Sequence, residues 1–313
     1  MEATRSFLRA QGLPGSEAHD LPTSEKRFPD GAQYRVEIPS VEGPGVLAAV
    51  FEAADEHGVT VHRVSQGSGG MLQTDAELAE MRDRAAARDV EVSLFARPSA
   101  GWDTGAMATS TAGQAVASQA RGTEQLVYCL EDIRRTAAAG LRSVLVTDVG
   151  VLRIAAAMRE AGELPGDMQF KVSVMMGCAN PASIRLVEEL GANTYNTPTD
   201  LSLAQLAAIR QAVDIPLDIY VEAPDNIGGF VRHYEIPEIV RVAAPVYVKF
   251  GLRNAPDIYP SGGHLGDLPA AMGRERVRRA RIGLDLLDRY YPEAVGSKLP
   301  APRLAVPIGV SEA

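Results

Sequence analysis

Four ionisable residues fall at or near the ends of short, β-branched runs. Glu37 lies in Tyr34–Ile38, Arg97 just after Glu91–Ala96, Glu222 at the end of Leu217–Glu222, and Lys249 in Val246–Phe250. A carboxylate can move protons, a desolvated lysine can polarise or attack a carbonyl, and a guanidinium fork holds a carboxylate or phosphate. That combination suits a small anionic substrate, with Glu37, Glu222 and Lys249 as catalytic residues and Arg97 as the anion anchor. A second group follows the last two runs: Gly228, Gly229, Arg232 and His233 after Glu222, and Arg253 after Lys249. Glycine amides and cations in such loops fit an anion, so these five are further candidates for substrate binding. The plainer alternative is that the glycines serve turns and the arginines stay solvated. A divalent ion held by Glu37, Glu222 and Asp148 would suit the same chemistry, although three separated carboxylates form no motif.

Such residues act together only if the fold gathers them. The chain repeats a β-branched run, a loop and an amphipathic helical stretch, with runs at Tyr34–Ile38, Thr60–Ser65, Glu91–Ala96, Ser143–Asp148, Phe170–Met175, Thr194–Asn196, Leu217–Glu222 and Val246–Phe250. Helices start where Thr74-Asp75, Asn180-Pro181 and Thr199-Asp200-Leu201-Ser202 supply caps. Eight such units with right-handed crossovers predict a single-domain α/β fold, a (β/α)8 barrel; an open doubly wound sheet is the alternative. The barrel spans 34–292, with a leader over 1–33 and a tail over 293–313. One long loop, 98–122, carries the only tryptophan, Trp102. It follows a strand and so belongs to the face where barrels place active sites.

Side-chain alternation then sorts the charges. One set in each of five runs is apolar and must face the helices, so the other set points to the axis. That inward set is Arg35, Glu37, Glu91, Arg97, Lys171, Asp218, Glu222 and Lys249. Arg35, Glu91, Lys171 and Asp218 come early, which predicts a structural ion-pair layer at the barrel bottom. Glu37, Arg97, Glu222 and Lys249 come late and predict a site at the mouth.

Composition removes other classes. The 313 residues carry a net charge of −9, which disfavours nucleic acid and anionic membranes as partners. No apolar run is long enough to span a bilayer and no secretory leader is visible, so a cytoplasmic location is expected. Two cysteines, Cys129 and Cys178, cannot build a zinc or iron–sulfur centre alone. The expected partner is a small-molecule substrate, with a homodimer as the base expectation for a soluble enzyme.

The segments Glu188-Glu189-Leu190-Gly191-Ala192 and Thr199-Asp200-Leu201-Ser202-Leu203 resemble the barrel of the collagenase-like peptidase family, peptidase family U32. The resemblance implies a (β/α)8 barrel and a peptidase label. The family's cysteine-bearing stretch should fall near Tyr220–Gly229, where this chain reads Tyr220-Val221-Glu222-Ala223-Pro224. No iron–sulfur ligands carry over. Three readings result: a barrel enzyme on a small anion (lyase, isomerase or hydrolase), a peptidase, or a non-catalytic ligand-binding or partner subunit.

Overall fold

The computed structural model describes residues 1–16, 20–102 and 106–309. Eight parallel strands close into one barrel in chain order. They are β1 (Tyr34–Pro39), β2 (Arg63–Ser65), β3 (Glu91–Phe95), β4 (Ser143–Val146), β5 (Gln169–Val172), β6 (Thr194–Asn196), β7 (Leu217–Glu222) and β8 (Val246–Phe250). The helices are α1 (Glu2–Ala10), α2 (Pro44–His57), α3 (Asp75–Ala86), α4 (Ala106–Thr109), α5 (Gly122–Ala138), α6 (Val149–Glu160), α7 (Pro181–Glu189), α8 (Leu203–Ala212), α9 (Ile236–Ala243) and α10 (Leu268–Tyr290). The fold is the (β/α)8 barrel that the alternation predicts.

Local chemistry explains the boundaries. Thr74 and Glu77 form a reciprocal capping box at the start of α3, and Ser202 with Gln205 does the same for α8. Asn180 caps α7 ahead of Pro181, and Gly58 closes α2 in the left-handed region. Four runs are shorter than expected: β3 ends at Phe95, one residue early, and β4 ends at Val146, ahead of the α6 cap Asp148. β2 forms only over Arg63–Ser65, and the fifth run stops at Val172 because the Ser173 side chain accepts from the Met175 amide and turns the chain. The 98–122 segment is broken by single helical turns at Ala100–Trp102 and Gln114–Val116 and by α4; positions 103–105 lie outside the described residues.

The helix-facing set (Val36, Ile38, Val64, Val92, Leu94, Val144, Val146, Phe170, Val172, Val246, Val248) is buried in one continuous core with the helices. Burying these aliphatic side chains contributes roughly 1.5–3 kcal/mol each relative to exposure. The opposite set faces the axis, as bonds across the barrel prove: β5 reaches β1 through Lys171 and Glu37, and β2 reaches β7 through Arg63 and Asp218.

The bottom is plugged by both flanking segments. Phe28 and Ala32 pack with Ala301 and Leu304 around Tyr247. Arg35 stacks 4.1 Å from the Phe28 ring centroid and donates to Ser297 Oγ, Tyr247 Oη and the Pro302 carbonyl. His62 accepts from the Val36 amide, and its Nε2 lies 2.9 Å from the Ser297 carbonyl. Burial pushes the His62 imidazole down to about 4, so it stays neutral at pH 7. The other end of the leader lies elsewhere: Met1 and, in α1, Arg5 line a cleft with Leu203, Phe230 and Tyr234.

Candidate active site

Three carboxylates and three cations fill the barrel interior. Arg63 Nε lies 2.8 Å from Glu91 Oε1, and its Nη1 lies 3.1 Å from Asp218 and 3.3 Å from Glu37. Lys171 Nζ is 2.7 Å from Asp218 Oδ2 and also bonds Glu37 Oε2. Lys249 Nζ is 3.1 Å from Glu37 Oε1 and 2.8 Å from Asn196 Oδ1, and sits 4.5 Å from the Tyr220 ring centroid. Ser65 donates to Glu37, Thr194 donates to Asp218, and the Arg63 guanidinium carbon lies over Tyr247, 3.6 Å from the ring centroid. Glu37, Glu91 and Asp218 formally balance Arg63, Lys171 and Lys249. Desolvation of each ion is offset only because every member is paired and hydrogen-bonded.

Glu37 is the hub, since both lysines and Arg63 converge on it. Burial alone would raise its carboxyl, but the charges of Lys171, Lys249 and Arg63 outweigh that and hold it far below the usual carboxylate range. The opposite balance holds at Lys171: burial lowers its amine, the charges of Asp218 and Glu37 offset this only in part, and it falls to about 8. The unfolded chain therefore keeps a proton between about pH 8 and the ordinary lysine value near 10.4 that the folded chain has released, so stability rises with pH in that window. The urea midpoint of the wild type is expected to increase from pH 8 to 9.5, with Lys171→Met lacking that increase. Equal slopes for the two proteins would refute it.

Above this layer the strand ends carry Arg97. Its guanidinium is sandwiched between the Phe95 ring at 3.8 Å and the Trp102 ring at 4.0 Å. It donates to Ser99 Oγ at 2.6 Å and to the Gly67 carbonyl at 3.2 Å, and among the described residues it meets no carboxylate. Burial lowers it to about 10, which still leaves it charged at pH 7. The glycines after β2 make this arrangement sterically feasible. A Cβ on Gly69, whose φ is +100°, would stand 2.6 Å from Arg97 Cγ, and one on Gly67 would stand 2.4 Å from the Tyr259 ring. Tyr259, from the connection after β8, donates to Ser40 Oγ at 2.5 Å and packs over the loop after β2.

Several predicted residues go elsewhere. In β7, Tyr220 pairs with Lys249 but Glu222 pairs with Phe250, so Val221 is an extra residue. This bulge turns Glu222 out of the interior. Its carboxylate accepts from the Arg253 amide at 3.0 Å and lies 3.3 Å from His233 Nε2 and 3.6 Å from Arg279 Nη1. Burial would raise it, but these neighbours bring it below the usual range. Arg232 is bound by Glu235 and by the Leu201 carbonyl, and Arg253 is half exposed, 3.7 Å from Asp225. Gly228 and Gly229 adopt φ of +120° and +60°, with Thr199 and Asp225 where their Cβ atoms would stand. The glycines thus serve the turn, Arg232 is engaged by the protein's own acceptors, and Arg253 makes only a half-exposed contact with Asp225. Asp148 caps α6 and accepts from the Ala120 amide, so Glu37, Glu222 and Asp148 do not converge. No group of three His, Cys, Asp or Glu among the described residues is placed to hold a metal ion.

Of the early layer, Glu91, Lys171 and Asp218 join Glu37 and Lys249 in one network, while Arg35 is held apart in the plug. The sequence reading missed Arg63, Asn196 and Tyr220. Val64, alternating with Arg63 and Ser65, places Arg63 inside once the strand is known to begin at Arg63.

Residues 110–223 match the model of Peptidase family U32. That stretch supplies Lys171, Asn196, Asp218 and Tyr220, whereas Glu37, Arg97 and Lys249 lie outside it. No curated protein matches the chain. Among solved structures, a provisional fructose-1,6-biphosphate aldolase from Coccidioides immitis aligns over 92% of this chain and 95% of its own, with 12% identity and a TM-score of 0.51. That likeness concerns the fold alone. The U32 peptidase Mk0906 aligns over 66% of this chain and 74% of its own at 16% identity, TM-score 0.37. The YdjI aldolase from Escherichia coli aligns over 86% and 94% at 14% identity, TM-score 0.44. The chain is a (β/α)8 barrel carrying a U32-like segment at residues 110–223.

Proposed function

We propose that the chain is an enzyme acting on a small anionic carbonyl compound at the C-terminal mouth of the barrel. Arg97 holds the anion and Lys249 polarises or attacks the carbonyl. The carrying observation is the contrast between these two cations: Lys249 is fixed by Glu37 and Asn196, while Arg97 is largely buried with no carboxylate among the described residues. A buried guanidinium without an acid partner favours an anion from solution. Glu37, spent on three cations, is suited to orienting Lys249 rather than to taking a proton. Glu222 faces the helices and cannot share the step. This arrangement favours carbon–carbon lyase or isomerase chemistry, where a fixed cation steadies a developing oxyanion. Hydrolysis is the second reading, favoured by the peptidase-family match over residues 110–223.

The single tryptophan lies against Arg97 and supplies the test. Titration with pyruvate, oxaloacetate or inorganic phosphate is expected to change Trp102 emission saturably. Arg97→Met should weaken the apparent Kd about 10- to 100-fold, the worth of a charge-assisted hydrogen-bond pair. An identical titration in wild type and variant would sink the assignment of Arg97.

A further inference from the structure

We propose that Asp132 of α5 is the positioning residue of this mouth: its carboxylate ties the backbone of Arg97 to the loop after β2, the bed on which the Arg97 side chain lies. In its consequence for binding, the proposal rests on the reading of Arg97 as an anion anchor. Asp132 belongs to the buried stripe of α5, beside Cys129, Ile133 and Thr136. An acid is costly on such a stripe unless donors are aimed at it. Its Oδ2 accepts from the Arg97 amide at 3.3 Å. Its Oδ1 lies against Gly70, where an added Cβ would stand 3.2 Å from it, and the Gly70 amide favours the charged carboxyl. Arg135, one turn further along α5, donates to the Gly70 carbonyl at 2.9 Å and to the Gln73 carbonyl at 2.7 Å. The helix thus grips both sides of Gly70. The Arg97 side chain lies on the same loop, with Nη2 donating to the Gly67 carbonyl and Cγ over Gly69. One carboxylate therefore fixes both the main chain of Arg97 and the strip beneath its side chain. Together these decide where the guanidinium stands between Phe95 and Trp102.

That role needs the charged form. A carboxylate accepts at both oxygens, whereas a protonated carboxyl carries a hydroxyl on one of them and loses an amide there. Burial pushes Asp132 up to about 6, against the opposing effects of the Arg97 amide, the Arg135 charge and the Gly70 amide. The tie is therefore complete above that value and loosens as pH falls through it. The neighbouring groups are engaged or silent in this range. Arg135 pairs with Asp75 at 2.7 Å, and Asp148, which acts with Asp132 on the Cys129 thiol, caps α6. Burial pushes that thiol up to about 12 and holds Tyr259, which acts on Arg97, above its ordinary value. Glu42 is the competing group: burial raises it, and it holds the Gly67 and Ser68 amides at the other end of the loop.

Two readings of Trp102 emission test the proposal in the full chain between pH 7.5 and 5: the ligand-free protein, and a titration with pyruvate, whose carboxylate stays ionised throughout. Ligand-free emission is expected to titrate with a midpoint near about 6, following Asp132. The apparent Kd for pyruvate should rise about 2- to 10-fold across that range, the worth of one hydrogen bond. Asp132→Asn keeps the shape, but in either orientation its NH2 meets one of the two amides. This variant should show no emission titration and should bind pyruvate at every pH as weakly as the wild type does at pH 5. Arg135→Met removes a cation that favours the charged carboxyl, so it should move the midpoint to higher pH. A titration that persists in Asp132→Asn belongs to Glu42 and overturns the proposal, as does a midpoint unmoved by Arg135→Met. If pyruvate binds through Arg97 with a Kd that is flat with pH, the proposal fails and the reading of Arg97 stands. If emission follows Asp132 but pyruvate has no effect, the tie stands and the anion reading fails. If neither pH nor pyruvate alters emission, both fail.

Discussion

Glu37→Gln is expected to lower the unfolding free energy by about 3–5 kcal/mol, the usual result of leaving a buried charge uncompensated. The substitution keeps the shape and an oxygen for Ser65, but Arg63, Lys171 and Lys249 then face only Glu91 and Asp218. Urea denaturation at pH 7 measures the loss. The acid limb tests the same cause. A carboxyl depressed on folding contributes its full stability above the unfolded value near pH 4.3 and loses it as pH falls toward the folded value. Wild type should therefore lose stability steadily below about pH 4.5, and the variant should lose less over the same range. Combining Glu37→Gln with Lys249→Met restores two cations to two carboxylates, so the double variant is expected to be more stable than Glu37→Gln alone. A double variant that is simply the sum of the two losses would show that Glu37 and Lys249 are not coupled.

Lys249→Met is expected to separate binding from chemistry. Arg97 and its aromatic sandwich are untouched, so anion affinity read at Trp102 should stay within about threefold of wild type, less than the loss of a typical hydrogen bond. Turnover of small oxo-acids, followed by proton NMR, should fall on the order of 10²–10³-fold, as when a charge-stabilising donor is removed from an active site. Borohydride added during turnover distinguishes the lysine's two roles: a mass increase on the Lys249 peptide marks an imine, and its absence leaves polarisation by the ammonium. Undiminished turnover in Lys249→Met would remove this lysine from the mechanism.

The barrel is legible in the chain because each strand devotes one face to helices and must make it apolar. Tyr34–Ile38 and Val246–Phe250 show that rule without interruption, and their inward residues Glu37 and Lys249 do meet. Where a single residue breaks the alternation, the reading breaks with it. The bulge at Val221 leaves the composition of β7 unchanged but turns Glu222 to the other side. In the second run, Val61 and Val64 stand three apart, so the parity of Arg63 is ambiguous until the strand is known to begin there. Lys171 sits early in its strand, yet its long side chain carries the amine up to Glu37, which position alone does not show. Arg276 is a buried residue that periodicity does make visible. It lies four residues after Met272 and four before Ala280, on the buried stripe of α10, where an arginine is out of place.

The plug at the bottom has a consequence for biogenesis. Arg35 and Glu91 emerge from the ribosome early, but Ser297, Pro302 and Ala305, which satisfy them, are made more than two hundred residues later. Until then one end of the nascent cylinder stays wet. The final locking of the ionic interior should thus be a late, post-translational event, and stalled chains lacking those residues should remain open to protease at β1 and β3.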